Sequence, residues 1–361
     1  MNTSKPEKRT LKELKAQKEK RKKWKEKEVI TKIKKQKLKQ ETNTVSTNEE
    51  STIKQEYPTV SIAVPGSILE NAQSPELRTY LAGQIARAAC IFQIDEIIIF
   101  DDYGNEANAK KSTLEDIAGL KTVRQSCVQF GRILQYLECP QYLRKFFFPI
   151  HSDLKYAGIL NPLDAPHHLR QDNTFGFREG VVTNKPVKPG KGSQVNVGLL
   201  QDVYVDKLLN PGVRCTVKLI PQEEGTKKMK GVIVSAITPR LETGVYWGYN
   251  VRLANSISEV FSQCPYRKGY DLLIGTSDKG ISVDEFECSR YKHLLIAFGG
   301  LNGLEAAVEN DDVLNIDDPQ LLFDHYLNTL PDQGSRTIRT EEAILISLAA
   351  LRPKITNFDL S

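Results

Sequence analysis

Paired cysteines are missing: the six that occur, Cys90, Cys127, Cys139, Cys215, Cys264 and Cys288, are scattered with no CxxC spacing. That argues against a zinc ribbon and against a disulfide scaffold, and it fits a reducing compartment. No apolar run approaches the ~18 residues of a membrane span, and the N-terminus is too charged for a signal peptide. No GxxxxGKS/T is present, and the nearest glycine arrangement, Gly299-Gly300-x-x-Gly303, is not GxGxxG. The phosphate loop is therefore excluded and the dinucleotide fingerprint is unsupported. HExxH, GxSxG and metal-spaced His/Cys clusters are likewise absent from the sequence, so hydrolytic chemistry has no visible constellation and no metal is expected.

Positive charge is abundant but confined. Residues 1–40 carry 17 Lys/Arg against 5 Asp/Glu, a net of +12, whereas the whole chain of 361 residues nets only +5, which leaves the remainder at −7. Residues 1–42 have almost no apolar positions at core spacing, so this tail is expected to be disordered or a solvated helix. It is either a plain charged extension or an arm for nucleic acid with a nuclear or nucleolar address, since blocks such as Lys20-Arg21-Lys22-Lys23 attract phosphate without sequence preference. Thr, Ser, Asn and Glu then mark a linker to about residue 56.

Folded sequence begins at Tyr57, and the length suits roughly two domains of ~150 residues. Thr59–Val64 reads as a strand, Ser74-Pro75-Glu76 as a helix start with Ser at the N-cap, and Ile94–Phe100 as a second strand ending in Asp101-Asp102. Strand, helix and strand in so short a span make a βαβ unit, hence an α/β fold with a parallel sheet. Helices are expected from about Val123 to Leu137 and from Pro140 to Phe147. The stiff segment 158–170 carries His167, His168 and Arg170, a set suited to phosphate or base contact, or to packing.

Between residues 185 and 251 the texture changes to short β pieces, Gln194–Leu200, Cys215–Leu219, Gly231–Ile237 and Gly244–Tyr249, as expected of an inserted small β-barrel of OB-like type. Lys227, Lys228 and Lys230, with Tyr246, Trp247 and Tyr249, supply a basic edge and aromatic faces, the combination used to bind single-stranded RNA. The expected organisation is a tail and linker over 1–56, an α/β domain in two segments, 57–184 and 252–361, and the barrel over 185–251.

Three glycine-bearing loops follow three apolar runs in the last hundred residues. Leu272–Ile274 leads into Gly275–Gly280, Leu294–Phe298 into Gly299–Glu305, and a third loop spans Pro331–Thr340. In an open parallel sheet ligands lie beyond the carboxyl ends of the strands, so these loops are candidate site walls. The final helix, expected over Thr340–Leu351 with Thr340 as N-cap and Arg352-Pro353 as its stop, is apolar on nearly every side and should be buried all round.

These loops, IGTSDKG, AFGGLNGLE and PDQGSRTIRTEEAILISLAAL, closely resemble the three cofactor loops of the SPOUT superfamily, methyltransferases with a C-terminal trefoil knot. The pieces ILNPLDAPHHLR and FREG and the β insert are similar to an archaeal and eukaryotic branch of RNA methyltransferases with an inserted OB-like domain; the likeness covers about Tyr57 to Leu351. The resemblance implies a knotted homodimer that binds S-adenosyl-L-methionine and crosses RNA between subunits. Carried over, the cofactor positions are Thr276, Lys279, Gly299, Gly300, Leu301, Asn328, Gln333, Gly334, Thr337 and Ile338. Methyl transfer mainly requires positioning and a dry site. If the acceptor is uridine N3, Arg336 and Arg339 are candidates to stabilise charge growing on the flanking oxygens, and Glu341 is a candidate base, with His167 or His168 of the partner subunit as alternatives. The expected activity is base N-methylation of a uridine in ribosomal RNA. The rival is a non-catalytic RNA-binding or mitotic-scaffold protein, associated with spindle or centromere, that keeps the knot as a dimer platform.

Overall fold

The computed structural model describes residues 57–103, 124–187, 192–221 and 228–355. The basic tail, the linker and Lys227 lie outside the described residues.

The chain opens with β1 (Thr59–Pro65), α1 (Pro75–Ile91) and β2 (Glu96–Phe100), followed by α2 (Gln125–Glu138) and α3 (Gln141–Phe147). Ser74 caps α1, its hydroxyl accepting from the Leu77 amide at 3.3 Å, with Pro75 at the first helical position where no N–H is needed. Five strands then form the barrel: β3 (Phe177–Val182), β4 (Gln194–Asn196), β5 (Val203–Val205), β6 (Arg214–Ile220) and β7 (Lys230–Val234). After α4 (Thr238–Thr243) the chain re-enters the first layer with β8 (Asn250–Ala254), α5 (Ile257–Ser262), β9 (Leu272–Ser282), β10 (His293–Ala297), α6 (Gly303–Glu309), β11 (His325–Asn328) and α7 (Thr340–Ile355).

The main sheet has the order β11-β9-β10-β1-β2-β8, and every pairing is parallel. Its central strands are continuous apolar runs because both faces are covered. On one side Ile62, Val64, Ile97, Ile99, Leu294 and Ile296 pack under α1, α2 and α7. On the other, Ala63, Ile98, Leu295 and Ala297 meet α5 and α6. The barrel closes in the order β3-β4-β5-β7-β6 around a valine core that includes Val195, Val203, Val205 and Val217. Its first strand precedes residue 185.

Two expectations need correction. Gly244–Tyr249 is not a strand but an irregular segment that buries Tyr246, Trp247 and Tyr249. Their polar tips are used internally: the Tyr246 hydroxyl donates to the Ile94 carbonyl at 2.6 Å and the Tyr249 hydroxyl to the Leu134 carbonyl at 2.9 Å. These rings join barrel to sheet and offer no face to a base. Helix α7 also departs from its pattern. Only one stripe, Ile344, Ser347, Leu348, Leu351 and Ile355, is buried, while Leu345 is 46 % exposed, because α7 is an outer layer against α1 and the sheet. Nor does Pro353 end it. Pro353 sits inside the last turn, and the end is pinned by the Lys354 ammonium on the Asp284 and Phe286 carbonyls and by Tyr291 on the Ile355 carbonyl.

Barrel and sheet are joined by a buried ionic network. Arg214 on β6 grips Glu138 at the end of α2 with two bonds of 2.7 and 2.9 Å and reaches Glu179 on β3 at 2.8 Å. Glu179 also accepts from Thr216 at 2.6 Å and from the Trp247 indole at 2.8 Å. Burial would push the Glu138 carboxyl up, but the His167 hydrogen bond and the Arg214 contact outweigh it and hold the group at about 2. Its folded value lies below the ordinary one, so it contributes stability above the usual carboxylate range and loses it as pH falls toward about 2. Replacing Arg214 with Ala should cost roughly 2–4 kcal/mol in urea unfolding at pH 7, and the gap from wild type should shrink steadily below pH ~4.

Candidate functional site

All six parallel strands end on one edge, and the three glycine loops meet there. Strands β9 and β11 pair as Tyr326↔Gly275 and then as Leu327↔Ile281, so Thr276–Gly280 bulge out of the ladder as the first loop. The second loop links β10 to α6 through Gly299 and Gly300, and the third runs from Asn328 to Arg339.

Side chains tie the loops to one another in a ring. The Thr276 hydroxyl donates to the Ala297 carbonyl at 3.0 Å, joining the first loop to the second. The Asn328 amide donates to the Asp278 carbonyl at 3.1 Å, joining the third to the first. The Thr340 hydroxyl donates to the Gly299 carbonyl at 3.1 Å, joining the third to the second. The Lys279 ammonium reaches Glu305 of α6 at 3.0 Å across the outside of the ring. Thr340 is therefore not the N-cap of α7. Arg339 takes that place, and Glu342 three residues on accepts from the Arg339 amide at 3.0 Å, half of a capping box.

Within the ring two adjacent glycines bring the main chain close to its neighbours. A Cβ on Gly299 would meet the Gly303 carbonyl carbon at 2.6 Å and the Leu304 nitrogen at 2.7 Å, so glycine is needed for the turn itself. A Cβ on Gly300 would instead face the Ser67 hydroxyl at 3.1 Å and Asp102 Oδ2 at 3.2 Å. Leu301 stands 77 % exposed beside them, an apolar side chain without cover. In the third loop Gly334, Arg336 and Thr337 are exposed, while Gln333 and Ile338 are half-buried. The Gln333 amide donates to the Ser335 carbonyl at 2.9 Å, and Asp332 holds a left-handed φ of 55°, a conformation aspartate tolerates better than most residues.

The structure thus brings Thr276, Lys279, Gly299, Gly300, Leu301, Asn328, Gln333, Gly334, Thr337 and Ile338 to one edge. Of the catalytic candidates, Arg336 and Arg339 project into solvent, and the Arg339 guanidinium lies 4.0 Å from Glu341, whose side chain is only 10 % exposed. The histidines are elsewhere. His167 is fully buried, its Nε2 at 2.9 Å from the Glu138 carbonyl and 3.1 Å from the Glu138 carboxylate, and His168 Nε2 lies 2.7 Å from the same carbonyl. Burial pushes His168 down to about 4, so it is neutral at pH 7. The expectation that His167 contacts RNA or acts as a base is corrected: the pair is part of the barrel–sheet joint. Arg170 is exposed at its edge. Lys228 and Lys230 are exposed on the barrel, the former over the Tyr204 ring at 4.9 Å from its centroid. Among the described residues no group of His, Cys, Asp and Glu is arranged to hold a metal ion.

Ser67, Asp102 and Asn310 were not singled out by the sequence. Asp102, at the end of β2, accepts from the Ser67 hydroxyl at 2.5 Å and from the Ser67 amide at 3.3 Å, and its carbonyl accepts from the Asn310 amide at 2.9 Å. Burial pushes its carboxyl up, and the Ser67 bonds only partly oppose this. The acidic pair at the strand end was visible in the chain; that it faces Gly300 follows only from β1 lying between β2 and β10.

Comparison with known proteins places this arrangement. A family model described as "Putative RNA methyltransferase" matches residues 59–351. A Drosophila melanogaster protein named 28S rRNA (uridine-N(3))-methyltransferase is 61 % identical over 302 residues, covering 82 % of this chain and 62 % of the relative. Proteins of the same name from Mus musculus and Homo sapiens are 58 % and 56 % identical, over 82 % and 81 % of this chain and 77 % and 78 % of their own lengths. The chain therefore spans less than two thirds of the Drosophila relative.

The two glycines should part company under substitution. Gly299→Ala drives a methyl into backbone and should cost about 2 kcal/mol or more, whereas Gly300→Ala meets only side-chain atoms, of Ser67, Asp102 and Pro65, and should stay within ~1 kcal/mol. Chemical denaturation of the two variants beside wild type measures this.

Proposed function

Since the chain belongs to this RNA methyltransferase family, we propose that it transfers a methyl group from S-adenosyl-L-methionine to N3 of a uridine in large-subunit ribosomal RNA. The observation that carries the reading is the ring of three loops, closed by Thr276, Asn328 and Thr340 around the glycine pair at the carboxyl ends of the parallel strands. The names of the 56–61 % identical relatives supply the substrate class.

The residues at this edge suit the cofactor. Gly300 leaves a space that any Cβ would fill, exposed Leu301 offers an apolar surface for an adenine ring, and half-buried Gln333 and Ile338 line the opposite loop. Thr276, Lys279, Gly299, Asn328, Gly334 and Thr337 complete the holding set. When bound, the cofactor supplies a methyl carbon already activated by sulfonium charge. The protein's part is to seat the uridine in line, exclude water and manage charge. Arg336 and Arg339, on the exposed side of the third loop, meet the negative charge that grows on the pyrimidine oxygens as N3 loses its proton.

The likeness of the three loops to knotted methyltransferases extends the proposal to the architecture it implies. The C-terminal segment forms a trefoil knot, and two copies pair through the face of α7 that carries Leu345 and Ala349, both exposed in the single chain. RNA is gathered by Lys228 and Lys230 on the barrel, by Arg170 and by the basic tail, which also addresses the protein to the nucleus.

Two measurements test this. Calorimetry should show S-adenosyl-L-methionine binding to wild type and none to a Gly300→Trp variant that still melts cooperatively; equal binding by both would remove the cofactor from this edge. Deleting residues 1–42 should weaken RNA binding and flatten the slope of log K against log salt, while cofactor affinity holds, because each lost phosphate contact removes nearly one released counterion.

A further inference from the structure

Methylation at N3 leaves one proton to be accounted for: the uridine N–H must lose it as the new bond forms, and a carboxylate within reach is the simplest acceptor. Glu341 is nine-tenths covered at the first turn of α7 and faces the Arg339 guanidinium at 4.0 Å. A second carboxylate lies on the other side of the glycine pair.

Taking the methyl-transfer reading above as its premise, we propose that Asp102, whose carboxylate stands against Gly300 of the second loop, is the general base that receives the N3 proton, with Ser67 orienting it. Topology places it there. β1 pairs with β10 on one side and β2 on the other, so the chain just beyond β2 faces the chain just beyond β10 across the turn that follows β1. A Cβ at position 300 would stand 3.2 Å from Asp102 Oδ2 and 3.1 Å from the Ser67 hydroxyl, so the Gly300 main chain lies close against this carboxylate and a side chain there would press on it. The group is also held still. Ser67 binds it through hydroxyl and amide, and Asn310 of the second loop's helix binds the Asp102 carbonyl.

Its surroundings suit a base. A carboxylate has about four lone-pair positions; Ser67 engages two and the Asp102 backbone amide a further one. Asp101 takes the nearby cation: the Arg124 guanidinium lies 3.3 Å from Asp101 and 3.7 Å from Glu70, and among the described residues Asp102 forms no ion pair. The other groups around it are Cys127 of α2, whose thiol burial keeps protonated, and Asp101, whose charge disfavours a second one. Only 6 % of Asp102 is exposed, and that burial raises its proton affinity above that of an ordinary aspartate. As N3 bonds to the methyl carbon, the C–S electron pair stays with sulfur and cancels its charge. The N3 proton passes to Oδ2 and leaves to water after release.

The test is Asp102→Asn, which keeps an acceptor for Ser67 but not a base. Single-turnover methylation of unmodified large-subunit ribosomal RNA transcribed in vitro is followed against pH, with S-adenosyl-L-methionine affinity measured by calorimetry. The wild-type rate should rise with pH and level off. The variant should be ~100-fold to 10,000-fold slower at pH 7 and climb about tenfold per pH unit, because it then depends on uridine already ionised. RNA made with 5-fluorouridine, whose N3 proton is more acidic, should restore the variant far more than wild type, and cofactor affinity should stay within about twofold. A rate lowered by one factor at every pH, or no rescue by 5-fluorouridine, would overturn Asp102 as base and leave it a structural clamp. Absence of both binding and transfer in wild type would instead overturn the methyl-transfer reading itself. Ser67→Ala guards against a variant that fails to fold: it should slow transfer about tenfold with the pH profile's shape intact, and a profile that turned log-linear would count against Asp102.

A stability readout stands apart from catalysis. The folded-state value of Asp102 lies above its unfolded value, so the carboxyl destabilises the fold increasingly as pH rises through that raised value. Wild type should therefore lose melting temperature relative to Asp102→Asn as pH rises out of the ordinary carboxylate range.

Discussion

Parallel pairing of β1 with β10 on one side and β2 on the other is the constraint on which the rest of the molecule depends. It brings Ala63 opposite both Ala297 and Ile98, residues far apart in the chain, and it sends every strand end in the main sheet to one edge. Parallel strands cannot be joined by tight turns, so each crossover must leave the sheet and return, and what it leaves behind at the edge is loop. Glycine in those loops exposes main chain that would otherwise be covered. The same pairing stations a buried aspartate and its serine against the glycine pair. The candidate site is a consequence of strand order before it is a consequence of any one side chain.

How far the chain could be read in advance depended on the range of the interactions involved. The apolar runs of β1, β2 and β10, the Ser74-Pro75 helix start and the three glycine loops are local signals, and the structure has each of them near its expected place. The aromatic segment Tyr246–Tyr249 misled because a strand-like composition also describes chain that packs three large rings into a joint. His167 and His168 misled for a related reason. Paired imidazoles look like ligands for phosphate, and only Glu138, about thirty residues away, shows that their hydrogen bonds are spent indoors. Helix α7 has an apolar composition that signals burial without saying by what, and a single copy of the chain covers only one stripe of it.

Buried charge is used differently at the two ends of the molecule. Where barrel meets sheet, Glu138 and Glu179 share Arg214 and further hydrogen bonds, so the joint is geometrically specific, and ionisation of Glu138 is favoured. At the loop edge Asp102 has a serine and no guanidinium, and its charge is disfavoured. The first arrangement locks two bodies together; the second keeps a proton acceptor in reserve. Both are carboxylates with under a tenth of their surface exposed, and the placement of one arginine separates their chemistry.

The excursion at Thr276–Gly280 has a consequence for how such an edge can change over time. Because β9 resumes its pairing with β11 at Ile281, on the same strand and without reversing direction, residues can be inserted or deleted in the excursion while the ladders on either side keep their partners. The rim of the site is thereby insulated from the scaffold, and substrate preference is free to drift at this point without endangering the architecture that supports it.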